Sequence, residues 1–237
     1  VSRLDGAHEE AIPAARKLVA VDALVGFRDR AQAGALLAAE VARRLSDTPA
    51  AEMVVLGLPR GGVPVAAAVA DALGVPLDVL IVRKLGVPYQ PELAMGAIGE
   101  DGARVLNEEV LAVAGVTPAE VDRVERRERD ELERRVQLYR AGRARHDLAG
   151  RTAIIVDDGI ATGSTVAAAC QIARQAGAGR VIVATPVAPP STMRRLTDAA
   201  DDVIAVLQPE SFFAIGEWYA DFSPTSDAEV RRLLQRT

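Results

Sequence analysis

Apolar residues along the chain fall into two patterns. The first is a set of short, mostly apolar runs: Met53–Leu58, Leu77–Val82, Thr152–Val156, Arg180–Thr185 and Asp202–Leu207. Runs of this length, without polar alternation, predict strands buried on both faces, as in a parallel sheet. The second is a three-to-four-residue recurrence. Ala31, Ala35, Leu36, Ala39, Val41, Ala42 and Leu45 predict a helix over Asp29–Leu45, ended by Ser46-Asp47-Thr48-Pro49. Further helices are predicted over Val63–Leu73 with Gly74 as C-cap, Val166–Gln175 and Pro190–Ala199. The alternation of strand and helix predicts an α/β fold: a doubly wound, mainly parallel five-stranded sheet covered on both faces.

Two stretches break this rhythm. Leu85–Glu100 holds Gly86, Pro88, Pro91, Gly96 and Gly99 and reads as a long loop, with a short hairpin as an option; Arg104–Leu106 reads as a short strand. Thr117-Pro118-Ala119-Glu120 is a helix start with a capping box and proline in the first turn. The helix it opens runs to about Tyr139 and is nearly all charged between Arg123 and Arg135. Asp122/Arg126, Glu125/Arg129, Asp130/Arg134 and Glu131/Arg135 stand four apart with the acid first, the favourable order. A solvated helix packed along one edge is the plain expectation, and a projecting partner or dimer helix the alternative.

Composition narrows the function classes. The 237 residues carry 28 basic and 33 acidic side chains, a formal net charge of −5, which argues against a nucleic-acid partner. The single cysteine, Cys170, excludes an internal disulfide and disfavours a thiolate metal cage. His8 and His146 leave little material for a zinc site or a histidine triad. No uncharged apolar run reaches the roughly 18 residues of a membrane span, and Val1–Ala20 lacks the apolar stretch of a signal peptide. A cytoplasmic protein without membrane contact is expected.

Three segments carry candidate chemistry. In Val156-Asp157-Asp158-Gly159-Ile160-Ala161-Thr162-Gly163-Ser164-Thr165, a buried strand delivers two adjacent carboxylates to the sheet's C-terminal edge, where open parallel sheets bind ligands. The small-residue loop and helix start that follow offer free N–H groups, hydroxyls and the positive end of a helix dipole, which suit a phosphate. Carboxylates that accept from a diol, beside a phosphate cradle, ask for a sugar phosphate. The second segment, Leu58-Pro59-Arg60-Gly61-Gly62, is another strand–loop–helix anion site; it matches neither a dinucleotide fingerprint nor a Walker A loop. The third is Arg83-Lys84, two cations at the end of the second predicted strand that could neutralise a pyrophosphate.

At these residues the sequence resembles the type I phosphoribosyltransferases, over roughly Phe27–Phe222. Phe-Arg-Asp-Arg at 27–30, Leu-Pro-Arg-Gly-Gly-Val-Pro-Val-Ala at 58–66, Arg-Lys-Leu-Gly at 83–86, Asn-Glu-Glu-Val at 107–110 and Val-Asp-Asp-Gly-Ile-Ala-Thr-Gly at 156–163 resemble in particular a bacterial subfamily with no assigned reaction. The resemblance implies that Asp157 and Asp158 hold the ribose hydroxyls of phosphoribosyl pyrophosphate (PRPP), and that Ala161, Thr162, Gly163, Ser164 and Thr165 hold its 5-phosphate. It implies that Arg60, Gly61, Gly62, Arg83 and Lys84 receive the pyrophosphate, with a cis peptide at Pro59–Arg60. Mg2+ would come with the donor, without direct protein ligands, and the acceptor would be a nucleobase or other nitrogen nucleophile. Residues 1–26 would then be an N-terminal extension and 27–207 the core, including a flexible loop over 85–102 and the charged helix over 118–141. Residues 208–237 would form a C-terminal hood or tail.

The match also departs from the family. Ala161 stands where members acting on hypoxanthine or guanine carry an Asp, which weakens an oxopurine acceptor. Adenine-type members have Ala there and use a Glu on the flexible loop, a role that Glu100 would take, with Glu92 the weaker candidate. Five of the eight aromatics lie in the tail: Phe212, Phe213, Trp218, Tyr219 and Phe222. Phe212, Phe213 and Trp218 could stack on a planar base or simply pack a small core. The implied function is transfer of ribose 5-phosphate with release of pyrophosphate. A non-catalytic PRPP- or nucleotide-binding regulatory protein is the alternative; synthesis of PRPP from ATP would need an ATP site that the sequence does not show.

Overall fold

The computed structural model describes residues 26–235, so all but the last residue of the expected N-terminal extension lies outside the described residues. Five strands, β1 (Met53–Gly57), β2 (Leu77–Val79), β6 (Thr152–Val156), β7 (Arg180–Val187) and β8 (Asp202–Leu207), form one sheet in the order β2-β1-β6-β7-β8. Every neighbouring pair is parallel. All five residues of β1 and of β6 are buried, as their unbroken apolar runs require.

Alternate strand residues feed two separate cores. Val55, Ile154, Ile182 and Ile204 face α1 (Arg30–Arg44), α2 (Gly62–Leu73), α4 (Pro118–Arg140) and α7 (Asp227–Leu234). Val54, Ile155, Val181 and Val183 face α5 (Ser164–Gln175) and α6 (Pro190–Leu196). Cys170 is fully buried in this second core, which pushes its thiol pKa up to about 12 and makes it an inert packing group. Local caps agree with the sequence. Asp29 accepts from the Gln32 amide, Gly74 closes α2 in the left-handed region, and Thr117 and Glu120 complete the capping box of α4.

The stretch expected as a loop is a folded hairpin. The parallel strand stops at Val79, and the chain crosses to a second sheet in which β3 (Val82–Val87), β4 (Gln90–Gly99) and β5 (Arg104–Leu106) are antiparallel. Arg83 and Lys84 therefore lie within β3, not at the end of a parallel strand. The glycines that suggested a loop are places of close approach: a Cβ on Gly86 would sit 2.4 Å from the Pro91 carbonyl oxygen, and one on Gly96 2.5 Å from that of Val105. Two short helices also escape the apolar period. One is α3 (Glu108–Ala114), capped by Asn107; the other is α7, capped by Ser226.

The charged helix α4 lies against the hairpin. Glu125/Arg129 and Glu131/Arg135 pair as expected, whereas Arg134 turns to Glu131 rather than Asp130. Its last residue is an anchor. Arg140 is buried and donates from Nε and Nη2 to both oxygens of Glu100 at 2.7 and 2.9 Å, from Nη1 to Asp78 at 2.5 Å and from Nη2 to the Val79 carbonyl at 2.9 Å. One guanidinium thus joins α4, the end of β4 and the end of the parallel strand β2. Removing it leaves two buried carboxylates without their cation, so Arg140→Met is expected to cost about 3–5 kcal/mol in urea denaturation. A loss below about 1 kcal/mol would mean that the pair is solvated in solution.

Candidate active site

The sheet order reverses between β1 and β6, and the loops after these two adjacent strands run together at their C-terminal ends. Such a switch point leaves a crevice in which neither crossover covers the sheet edge. After β1, Pro59–Arg60 is cis, and Gly61 and Gly62 open α2. After β6 come Asp157 and Asp158, then the turn at Gly163 and the start of α5.

The two loops touch with no room for a side chain on the first. A Cβ on Gly61 would stand 1.9 Å from Asp158 Oδ2, and one on Gly62 would stand 2.5 Å from the Val156 carbonyl oxygen and 2.9 Å from Asp157 Cα. The glycine pair is therefore required by the carboxylate pair. Gly163 adopts φ 75° in the left-handed region, which turns the chain into α5; the first-turn amides of a helix lack intrahelical acceptors, and such a helix start suits an anion. Thr162 Oγ1 and Ser164 Oγ lie 3.2 Å apart at the same turn, and the Ala161 carbonyl accepts from Thr192.

The carboxylates differ in their surroundings. Burial pushes the Asp157 carboxyl well above the usual carboxylate range, and the neighbouring charge of Asp158 adds to this. Burial also raises Asp158, but Arg30 opposes it through an ion pair, Nε to Oδ2 at 2.7 Å, in which both side chains are nearly buried. Arg30 also donates to the Ser223 carbonyl at 2.7 Å and lies 4.0 Å from the Phe222 ring centroid. Tyr219 donates its hydroxyl to the Asp158 carbonyl, and Ile215 leaves no room for a Cβ on Gly159. The C-terminal tail is thus strapped across the carboxylate loop through a residue of α1.

A family model for the phosphoribosyl transferase domain matches residues 29–217. The chain belongs to the phosphoribosyl transferase family. Two Mycobacterium tuberculosis proteins named "Putative phosphoribosyl transferase", Rv0571c and, from another strain, MT0597, are each 52% identical to it over 210 residues. The match covers 89% of this chain and 46% of each relative, so the chain spans about half the length of the curated relatives it matches. The crystal structure of TT1426 from Thermus thermophilus superposes with a TM-score of 0.81 at 43% identity, covering 89% of this chain and 98% of that one. The AQ2163 protein of Aquifex aeolicus, at 12% identity and a TM-score of 0.53 over 88% of this chain and 89% of its own, shares the fold.

Within this phosphoribosyl transferase fold the expected site residues separate into groups. The loop residues Gly61, Gly62, Asp157, Asp158 and 161–165 come together at the switch point. Lys84, Arg83 and Thr165 line a cavity of about 640 Å³ with Leu58 and Pro59. Arg83 is held there by Glu128, at 2.5 Å, and Lys84 by Glu92, at 3.2 Å. Arg60 is half exposed and approaches Asp227 of α7 at 3.9 Å.

Glu100 is a correction. Both its oxygens are held by Arg140 in the buried cluster, and it does not line the cavity; Glu92 does. The sequence placed Glu100 by its position before Asp101-Gly102, but only the fold shows its cation, 40 residues away. Phe212 and Trp218 stack on each other, with centroids 6.4 Å apart, in a small third core built on Phe27, Leu207 and Tyr219; Phe213 is exposed. None of these three lines the 640 Å³ cavity. Arg30 is the site residue that sequence reasoning passed over. Its one signal was its place in Phe27-Arg28-Asp29-Arg30, with no hint of a partner 128 residues later.

The raised Asp157 pKa has a definite stability signature. The folded state holds a proton that the unfolded carboxyl loses at about pH 3.9, so this residue's contribution is fully present below that pH and declines as pH rises through the folded value. Asp157→Asn should therefore gain stability over the wild type as pH rises from 4 to 8, measured by urea denaturation at each pH. A difference independent of pH would show that the carboxyl titrates normally.

Proposed function

We propose that the protein transfers the 5-phosphoribosyl group of PRPP to a nitrogen nucleophile, with release of pyrophosphate. The observation that carries this reading is the contact of the Gly61-Gly62 loop with Asp157 and Asp158 at the switch point. It supports a reading in which the Gly61-Gly62 loop receives the leaving group, the carboxylate pair beside it takes the diol and the helix start after Gly163 takes the phosphate. In the reaction a bond forms between the acceptor nitrogen and ribose C1 while the C1–oxygen bond to pyrophosphate breaks; the acceptor's proton passes to solvent.

The residues have separate tasks. Asp157 and Asp158 accept from the ribose hydroxyls and lie where positive charge develops at C1. The 161–165 turn holds the 5-phosphate, and the amides after Pro59, with Lys84, hold the departing pyrophosphate. Arg30 keeps Asp158 in its orientation. Orienting the reactants supplies much of the rate in such a site. The paired carboxylates are hard oxygen donors, which fits Mg2+ bound mainly through the donor's own oxygens; among the described residues no group of three or more His, Cys, Asp or Glu forms a metal cage. When bound, Mg2+ would supply charge neutralisation on the pyrophosphate. A purine acceptor is the reading best matched to Ala161.

The test is pyrophosphate release from PRPP with Mg2+ across a panel of nucleobases, using full-length protein. Release that depends on one base and falls at least 100-fold in Asp157→Asn/Asp158→Asn is expected. Tight PRPP binding without base-dependent release would favour the regulatory alternative, and no PRPP binding would overturn the donor assignment. Arg30→Met should weaken PRPP binding at least tenfold, with Arg30→Lys recovering part of the loss.

A further inference from the structure

The 640 Å³ cavity is larger than a leaving pyrophosphate needs; volumes of this order hold drug-sized ligands. Its lining includes Pro59, Thr165 and Lys84, and also Arg123, Arg127 and Arg135 of the charged helix α4. From residue 123 to residue 135 the helix rises about 18 Å. These cations thus extend well beyond the span of two linked phosphates.

The acids among them are already engaged. Glu128 accepts from both Arg83 and Arg127, so two guanidinium groups share one carboxylate. Glu92 is paired with Lys84. Glu120 turns its carboxylate back onto the Thr117 amide and hydroxyl, at 2.8 and 2.7 Å, as the helix cap. Five basic side chains face three acidic ones in the lining, in a protein whose net charge is −5, although Arg135 is paired with Glu131 beside it. The wall is also fastened at two points: Arg83–Glu128 ties α4 to β3, and the buried Arg140 cluster ties its last turn to β2 and β4.

We propose that this cavity is a binding site for an extended polyphosphate anion, with α4 as its anion-binding wall and Arg123 and Arg127 as the residues that recognise phosphates beyond the second. The proposal rests on the reading that the Pro59 loop and Lys84 receive pyrophosphate, which becomes one end of the longer site. Guanidinium groups suit this task because they bind phosphate oxygens in pairs and stay charged.

The test is calorimetric titration of the full chain with orthophosphate, pyrophosphate, tripolyphosphate and tetrapolyphosphate, with PRPP titrated alongside. The wild type should bind tetrapolyphosphate at least tenfold more tightly than pyrophosphate. Arg123→Gln/Arg127→Gln should lose that gain while keeping its affinity for pyrophosphate within about threefold. Arg126→Gln/Arg129→Gln removes the same charge from the other face of α4, where both residues line a separate groove, and should keep the gain. No dependence on chain length in the wild type, or equal losses in both variants, would overturn the proposal. PRPP binding that persists in either case would leave the transferase reading standing; PRPP binding lost in the wild type, with the chain-length gain intact, would overturn that reading alone. Thermal melts of each variant exclude unfolding as the cause.

Discussion

The molecule is organised around one close contact, the meeting of the Gly61-Gly62 turn with the Asp157-Asp158 pair. Two strands that are neighbours in the sheet but some hundred residues apart in the chain must end at the same level for this to happen, and the register of β1 on β6, with Gly57 opposite Val156, arranges it. The contact brings a cost: two carboxylates are drawn out of water beside each other. Arg30 offsets it for Asp158, and Arg30 is in turn placed by the first helix, the Ser223 carbonyl and the Phe222 ring. The tail and the N-terminal end of α1 are therefore as much part of the site as the loops are. A ligand that supplies hydroxyl donors would satisfy the other carboxylate, Asp157, which among the described residues has no cation in hydrogen-bond range.

A second constraint works at the opposite edge. The chain leaves the parallel sheet after Val79 and builds an antiparallel hairpin, and the angle between the two is held by Arg140. One buried cation with two carboxylates and a carbonyl is a poor way to gain net stability, but it strongly disfavours any arrangement that separates its partners. It fixes where β3 and α4 stand relative to the loops after β1 and β6, and hence the shape of the cavity between them. The long charged helix, mostly solvated, acquires an inner face in this way.

Much of the architecture and of the site was legible in the residues. Mostly apolar runs are what a strand covered on both faces must have, so all five parallel strands stood out, although the second ends at Val79 and Val82 opens the antiparallel hairpin. The two loops were legible because their chemistry is local: acids at a strand end, glycines at a close approach and hydroxyls at a helix start all lie within a few residues of one another. Membership of the phosphoribosyl transferase family follows from the same contiguous motifs.

What the tertiary structure alone decided concerns partners distant in sequence. Glu100 had the right local context for chemistry, but its carboxylate belongs to Arg140, and no pattern within a window of about twenty residues encodes that pair. Arg30 looked like an ordinary first-turn residue until the fold set it against Asp158. Leu85–Glu100 read as a long loop with room for a short hairpin because Gly and Pro are statistical loop signals; here Gly86 and Gly96 are needed so that neighbouring backbones can approach, a demand that exists only once the strands are paired. Periodicity and local motif chemistry are properties of the chain itself, and the sequence determined them. Which charge meets which, and what space is left between the elements, depends on packing in three dimensions, and only the folded structure could decide it.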